Sequence, residues 1–224
     1  MFTIGHMAIA YLLGRGSGKL LRATPNIPLL LALSILPDAD ILVGASFHRG
    51  PTHSVITAII VFLPALYFYR KKAVPYLLAF ASHAVIADLI IGGEIMLFWP
   101  LSTEKISLPP PFPYISVYSP VNVVLEFSLF IIATIAMLKT KDMRTFFHEH
   151  ASNLLLAIPV VTVLLPALVG FPLSVPPLLF IPHVFYLITF SIAVILGLLA
   201  IPRLLIKTQN EPETNGQIPT KPSN

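Results

Sequence analysis

Seven apolar stretches, at residues 2–14, 26–44, 54–69, 73–99, 120–138, 151–169 and 182–206, dominate this chain and leave short loops rich in proline, lysine or arginine between them. Backbone N–H and C=O groups find no water inside a bilayer, so only helices and closed barrels can cross one. Most of these stretches are long enough to span a hydrocarbon core of about 30 Å as a helix. Residues 54–69 give about 24 Å, enough for a thin or locally distorted bilayer. With 56% hydrophobic and 11% charged residues, the expected fold is all-α, a polytopic transmembrane bundle of about six or seven segments. One membrane domain over residues 1–207 accounts for the length, with the polar residues concentrated in 1–102 and further transmembrane helices in 103–207. Residues 208–224 are polar and rich in Pro, Asn and Thr, and are expected to form a disordered tail. The first stretch lacks a basic start and a small-residue cleavage site, so it is expected to be retained rather than removed as a signal peptide. Pro37 interrupts the second stretch. The residue before a proline avoids the α region, which predicts a helix end at or just before Leu36 and a broken or re-entrant element near residue 37.

Charge supplies an orientation. Alternate assignment of the loops puts Arg15, Lys19, Arg22, Arg70, Lys71, Lys72, Lys139, Lys141, Arg144, Arg203, Lys207 and Lys221 on one side and only Arg49 and Lys105 on the other. This positive-inside bias predicts a multi-pass protein of the cell membrane with a cytoplasmic C-terminus. The net charge of +4 is spread over short loops and makes no nucleic-acid surface. The absence of cysteine excludes disulfides, thiolate metal sites and cysteine nucleophiles.

Against this background the distribution of acids and imidazoles is uneven. Four of seven histidines and three of four aspartates lie in the first 88 residues. They form short islands: Gly5-His6, Leu36-Pro37-Asp38-Ala39-Asp40, the heptapeptide His48-Arg49-Gly50-Pro51-Thr52-His53-Ser54, and Ser82-His83 with Asp88. An ionised side chain at the bilayer centre costs about 2.5–3.5 kcal/mol on insertion scales, so several in one embedded region call for a common cause. Counting at 1.5 Å per residue places Asp38 about 15–18 Å deep and His83 at a similar depth. The irregular backbone after Pro37 must then border protein or a water-filled cavity. The expectation is a wet cavity opening outward, with Asp38, Asp40, His53 and His83 converging on a divalent metal, zinc or manganese first among the choices. Arg49 is placed to steer an anionic group by its bidentate fork. Asn122 and Glu126, four apart on one helix face, either line that cavity or satisfy each other. His148-Glu149-His150 reads as a solvated helix start, and an isolated His183 as an interhelical hydrogen-bonding residue.

These islands, with Gly92-Gly93-Glu94-Ile95-Met96-Leu97-Phe98-Trp99-Pro100-Leu101, resemble the YdjM-like family of predicted membrane-bound metal-dependent hydrolases over residues 5 to about 102. The resemblance implies metal-site roles for His6, Asp38, Asp40, His48, His53, His83 and Asp88. A metal-bound water beside a carboxylate base is the minimal machinery for hydrolysis, so the expected reaction is cleavage of an ester or phosphoester of a membrane-associated, anionic small molecule or lipid, with Asp40, Arg49 and Asp88 as the catalytic candidates. One departure has a structural consequence. The family pattern has aspartate four residues after the histidine, whereas Asp88 follows His83 by five, which in an α-helix sets the two about 140° apart. A π-bulge would absorb the extra residue. Two other functions suit the same polar residues: a proton- or ion-coupled transporter, which would be expected to show inverted repeats that are not evident here, and a noncatalytic membrane protein with a structural metal.

Overall fold

The computed structural model describes residues 1–44, 48–108 and 115–210, with side chains through Arg203. The described residues are helical, with no strand beyond two isolated bridges, Ile91 with Ile115 and Ile95 with Ile106. In chain order the helices are α1 (Thr3–Leu21), α2 (Ile27–Ile35), α3 (Val55–Tyr69), α4 (Val74–Asp88), α5 (Pro120–Thr140), α6 (Ala151–Leu168) and α7 (Pro177–Asn210). By length and composition α5, α6 and α7 can each cross a membrane, and α4 is a shorter apolar helix. α7 continues to Asn210, three residues into the stretch expected to be a disordered tail. The rest of that tail, 211–224, lies outside the described residues.

The segment expected over 73–99 is shorter as a helix. α4 stops at Asp88 and the chain then runs irregularly to Trp99, because Gly92 and Gly93 take φ of +98° and +107°, a region closed to a continuing helix. At Pro37 the expectation holds. α2 ends at Ile35 and the backbone tightens into a 3-10 turn over Leu36–Leu42.

α1 is the central rod. Its Ile4, Met7, Ala8, Ala10 and Tyr11 are buried, and it packs on α2, α4 and α5. α1 and α2 form an antiparallel hairpin whose register two glycines fix. A Cβ on Gly18 would meet the Ala23 carbonyl and Pro25, and one on Gly14 would overlap Leu30. Continuing that register brings the level of His6 to that of Asp38. At the N-terminal end of α1, Glu126 of α5 accepts the backbone N–H groups of Phe2 at 2.8 Å and Gly5 at 2.9 Å. A buried carboxylate on the free N–H groups of a helix start satisfies them and opposes the positive end of the macrodipole.

The other end of α1 is basic. Arg15, Lys19 and Arg22 face Thr140 of α5 across one cleft, while Arg22 and Lys72 share a second. Arg15 pairs with Asp142 at 2.9 Å. The polar islands and the basic loops therefore occupy opposite ends of a helix about 28 Å long.

Gly14→Ala is expected to destabilise the protein by about 1–3 kcal/mol through overpacking against Leu30. Gly16→Ala, where an added Cβ meets nothing within 4 Å, should be neutral or stabilising by helix propensity. Thermal unfolding of the two detergent-solubilised variants checks this, and equal midpoints would show that the α1–α2 packing is misassigned.

Candidate metal centre

Three helical features aim side chains at one point near the N-terminal end of α1. The first is the 3-10 turn after Pro37. At about three residues per turn, side chains two apart diverge by about 120°, so Asp38 and Asp40 reach different parts of the same cluster. The second is the heptapeptide, whose Pro51–His53 form a short 3-10 turn that buries His53. The third is the end of α4, which is a π-helix over His83–Asp88. Leu89 N–H bonds to the Ala84 carbonyl, five residues back, at 3.0 Å. In that register residues five apart share a face, and His83 and Asp88 both turn inward.

Asp38, His53, His83 and Asp88 are all buried, and one ligand atom from each lies within 4.8 Å of the others. His53 Nε2 and His83 Nε2 face each other at 3.1 Å. Asp38 Oδ1 is 3.2 Å from His83 Nε2 and 3.6 Å from His53 Nε2. Asp88 Oδ2 is 3.2 Å from His53 Nε2 and 3.5 Å from His83 Nε2. Ligands at about 2.0–2.1 Å around a tetrahedral ion stand about 3.3 Å apart, so this spacing fits a first coordination shell.

The outer nitrogens of both rings are tied down. His83 Nδ1–H donates to the Ser34 carbonyl at 2.6 Å, since a carbonyl can only accept. A 3-10 turn would pair that carbonyl with residue 37, a proline with no N–H to offer. For His53, the Thr52 hydroxyl donates to Asp40 Oδ2 at 2.6 Å, and its oxygen accepts His53 Nδ1–H at 3.0 Å. Each ring therefore turns the lone pair of its Nε2 toward the other and toward two carboxylates. Asp88 Oδ2 is buried with no hydrogen-bond partner. Such a convergence of acceptors could hold a metal ion.

The remaining predicted residues surround this core. Asp40 Oδ1 accepts His48 Nδ1–H at 3.1 Å, and Asp40, His48 and His53 form a second, less buried cluster that shares His53 with the first. His6 lies beside the four-residue cluster: its ring stacks on His83 at 3.9 Å between centroids, and its Nε2 is 3.5 Å from Asp88 Oδ1. Arg49 donates to the Gly92 carbonyl and holds Nη2 3.7 Å from Asp88 Oδ1. The Met1 nitrogen is 3.6 Å from the same oxygen.

Asn122 donates to Glu126 at 2.8 Å, so the pair that could have lined the cavity is bonded together under the start of α1. His150 accepts the N–H of Ser152 at the start of α6, and His183 Nε2–H donates to the Leu164 carbonyl at 2.8 Å. The irregular stretch after α4 braces the heptapeptide. Met96 N–H bonds to the Arg49 carbonyl, Val55 N–H to Leu97, and the Ser54 hydroxyl donates to the Leu97 and Trp99 carbonyls while capping α3. Ser34, Thr52 and this bracing are contributions that the sequence did not announce.

A cavity of about 70 Å³ adjoins the cluster. His6, Asp38, His48, Arg49 and Asp88 form its polar side, and Val117, Val163, Ala167 and Leu173 its apolar side.

Residues 1–170 match the profile of the YdjM inner membrane protein family. The chain belongs to that family. The match extends well past residue 102, through α5 and α6, so these helices with their capping Glu126 and apolar wall are part of the YdjM unit. The chain is also similar to the inner membrane protein YbcI of Escherichia coli (strain K12), with 28% identity over 124 residues, covering 48% of this chain and 72% of that protein. No solved structure matches significantly.

Gly92 carries both a φ of +98° and a position where a Cβ would collide with the Arg49 guanidinium. Gly92→Ala is expected to cost about 1–2 kcal/mol in backbone strain and to displace Arg49. Enhanced tryptic cleavage after Arg49 in the folded variant is the measurement, and wild-type protection would contradict the placement.

Proposed function

We propose that this YdjM-family protein is a membrane-bound metal-dependent hydrolase that cleaves an ester or phosphoester of a membrane-associated, anionic substrate. The observation that carries the proposal is the pair of imidazole Nε2 atoms 3.1 Å apart, each with its outer nitrogen anchored as a donor, flanked by two buried carboxylates. Two lone pairs so close repel unless a metal ion or a proton lies between them, and the two flanking carboxylates favour the metal ion.

In this proposal Asp38, His53, His83 and Asp88 hold one divalent ion, zinc or manganese. Bound there, the ion supplies Lewis acidity and a water whose pKa is brought toward neutrality. Asp40 fixes the ring of His53 through Thr52 and holds His48 at the cavity edge, the outer-shell arrangement that orients metal-bound histidines. Arg49, already turned toward Asp88, offers its guanidinium to an anionic oxygen. His6 walls the site by stacking on His83. The apolar side of the cavity accepts the hydrocarbon next to the scissile group and limits water. The basic end of α1 faces the cytoplasm under the positive-inside rule, which turns the cluster outward.

Elemental analysis of detergent-purified protein is expected to show stoichiometric metal in the wild type and at least a tenfold loss in Asp38→Ala and His53→Ala, in line with loss of a ligand. Equal metal in all three would falsify the assignment. Chelator-sensitive hydrolysis of lipid phosphoesters by the wild type separates an enzyme from a protein that keeps the ion as a clip. Arg49→Lys should raise KM more than it lowers kcat, because a point charge replaces a bidentate fork; an unchanged KM would remove Arg49 from substrate binding.

A further inference from the structure

A polar-rimmed groove lies at the far end of the molecule from the candidate metal cluster. We infer that an anionic phospholipid binds there, with its phosphate held at the α1–α2 turn between Arg22 and Lys72 and an acyl chain laid in the groove between α2 and α3. The groove encloses about 810 Å³, within the range of sites that hold a whole small ligand and more than tenfold the space beside the metal cluster. Its floor is hydrocarbon, from Leu29, Leu33, Phe62 and Ala65, and its rim is cationic, from Arg22 and Lys72. Both cations are exposed.

Two further observations point to a headgroup rather than to apolar filling alone. The Tyr76 hydroxyl on the rim accepts the Asn26 N–H at 2.7 Å, which leaves its own proton to donate into the groove. Beside this groove lies a second cleft of about 640 Å³ that shares Arg22, Ala23 and Thr24 and adds Arg15 and Lys19. The α1–α2 turn therefore presents cations to both clefts. Asp142, the acid nearest to this second cleft, is engaged by Arg15. A rim of cations, Arg22 and Lys72, with no acidic partner among the described residues lies over an apolar trough and complements an acidic headgroup on a hydrocarbon chain; basic pockets of this kind between membrane helices bind anionic lipids. Inorganic phosphate matches only the rim, and a zwitterionic lipid matches the trough but offers the rim a phosphate whose charge its own ammonium offsets.

Native mass spectrometry of the full-length protein in detergent, given equal amounts of phosphatidylglycerol and phosphatidylcholine, tests the inference. One phosphatidylglycerol should be retained in preference, and millimolar inorganic phosphate should not displace it. The double variant Arg22→Ala/Lys72→Ala should lower retention about tenfold or more, whereas Lys139→Ala/Lys141→Ala, which removes two cations outside the groove, should not. Ala65→Phe, which fills the trough and leaves the rim intact, should also lower retention. Equal loss in the two double variants would mean diffuse charge attraction and overturn the site. Full retention in Ala65→Phe, or displacement by phosphate, would overturn the acyl-chain half of it. Metal content should be wild-type in all of these variants, so failure here is distinct from failure of the hydrolase proposal.

Discussion

Two carboxylates and two imidazoles share a buried point in this protein, and the surrounding architecture exists to bring them there. Desolvating two acids in an apolar bundle is costly unless cations or donors compensate. Here the compensation cannot come from the two histidines acting as neutral donors, because each commits its Nδ1–H elsewhere: His83 to the Ser34 carbonyl and His53 to Thr52. The imidazoles thus face the acids as further acceptors. A cation held among the four atoms would relieve that repulsion, as Arg49 and the Met1 nitrogen do in part from the other side of Asp88, and the four side chains tie α2, the heptapeptide and α4 into one unit.

Two departures from α-geometry make the convergence possible, and they act in opposite senses. After Pro37 the backbone tightens to 3-10, which swings Asp38 toward His53 and His83 and Asp40 toward the outer nitrogen of His53. At the end of α4 it loosens to π, which brings Asp88 onto the face of His83. A regular α-helix at either place would send one acid into the packing of its neighbours. The tightened turn has a visible cause in proline. The loosened one has none in composition; it is recognisable only as a five-residue spacing where four is expected.

That contrast describes what a sequence of this kind discloses. Helices and their order follow from apolar length, and the break at Leu36 follows from Pro37. The acids and histidines are legible because they are expensive in a membrane, so each island advertises itself. Neighbours that cost nothing are silent. The Ser34 carbonyl is a backbone atom present at every position, and Thr52 is one hydroxyl among many. Glu126 was visible as an acid that would line the cavity or bond Asn122; it does bond Asn122, and it also caps the first turn of α1, more than a hundred residues away, which nothing in the sequence announced. The run from Leu89 to Trp99 looked like the end of a membrane segment because its residues are apolar. It is a brace instead, since Gly92 and Gly93 free the backbone to bond Arg49, Ser54 and Val55.

The size of the cavity bears on how a substrate would be chosen. About 70 Å³ admits a reacting group and a little water, not a whole lipid, so selection cannot rest on enclosing the molecule. In the proposed hydrolase it would act at the mouth. There the two halves of the chain contribute different things: Arg49 and His48 from the heptapeptide give charge, and Val163, Ala167 and Leu173 from α6 and the segment beyond it give an apolar wall. A substrate that satisfies both is amphiphilic, with its acidic group at the junction of the two surfaces. Under the proposed hydrolase reading, the second half of the chain, polar-poor and without a catalytic candidate, supplies the apolar side of the cavity.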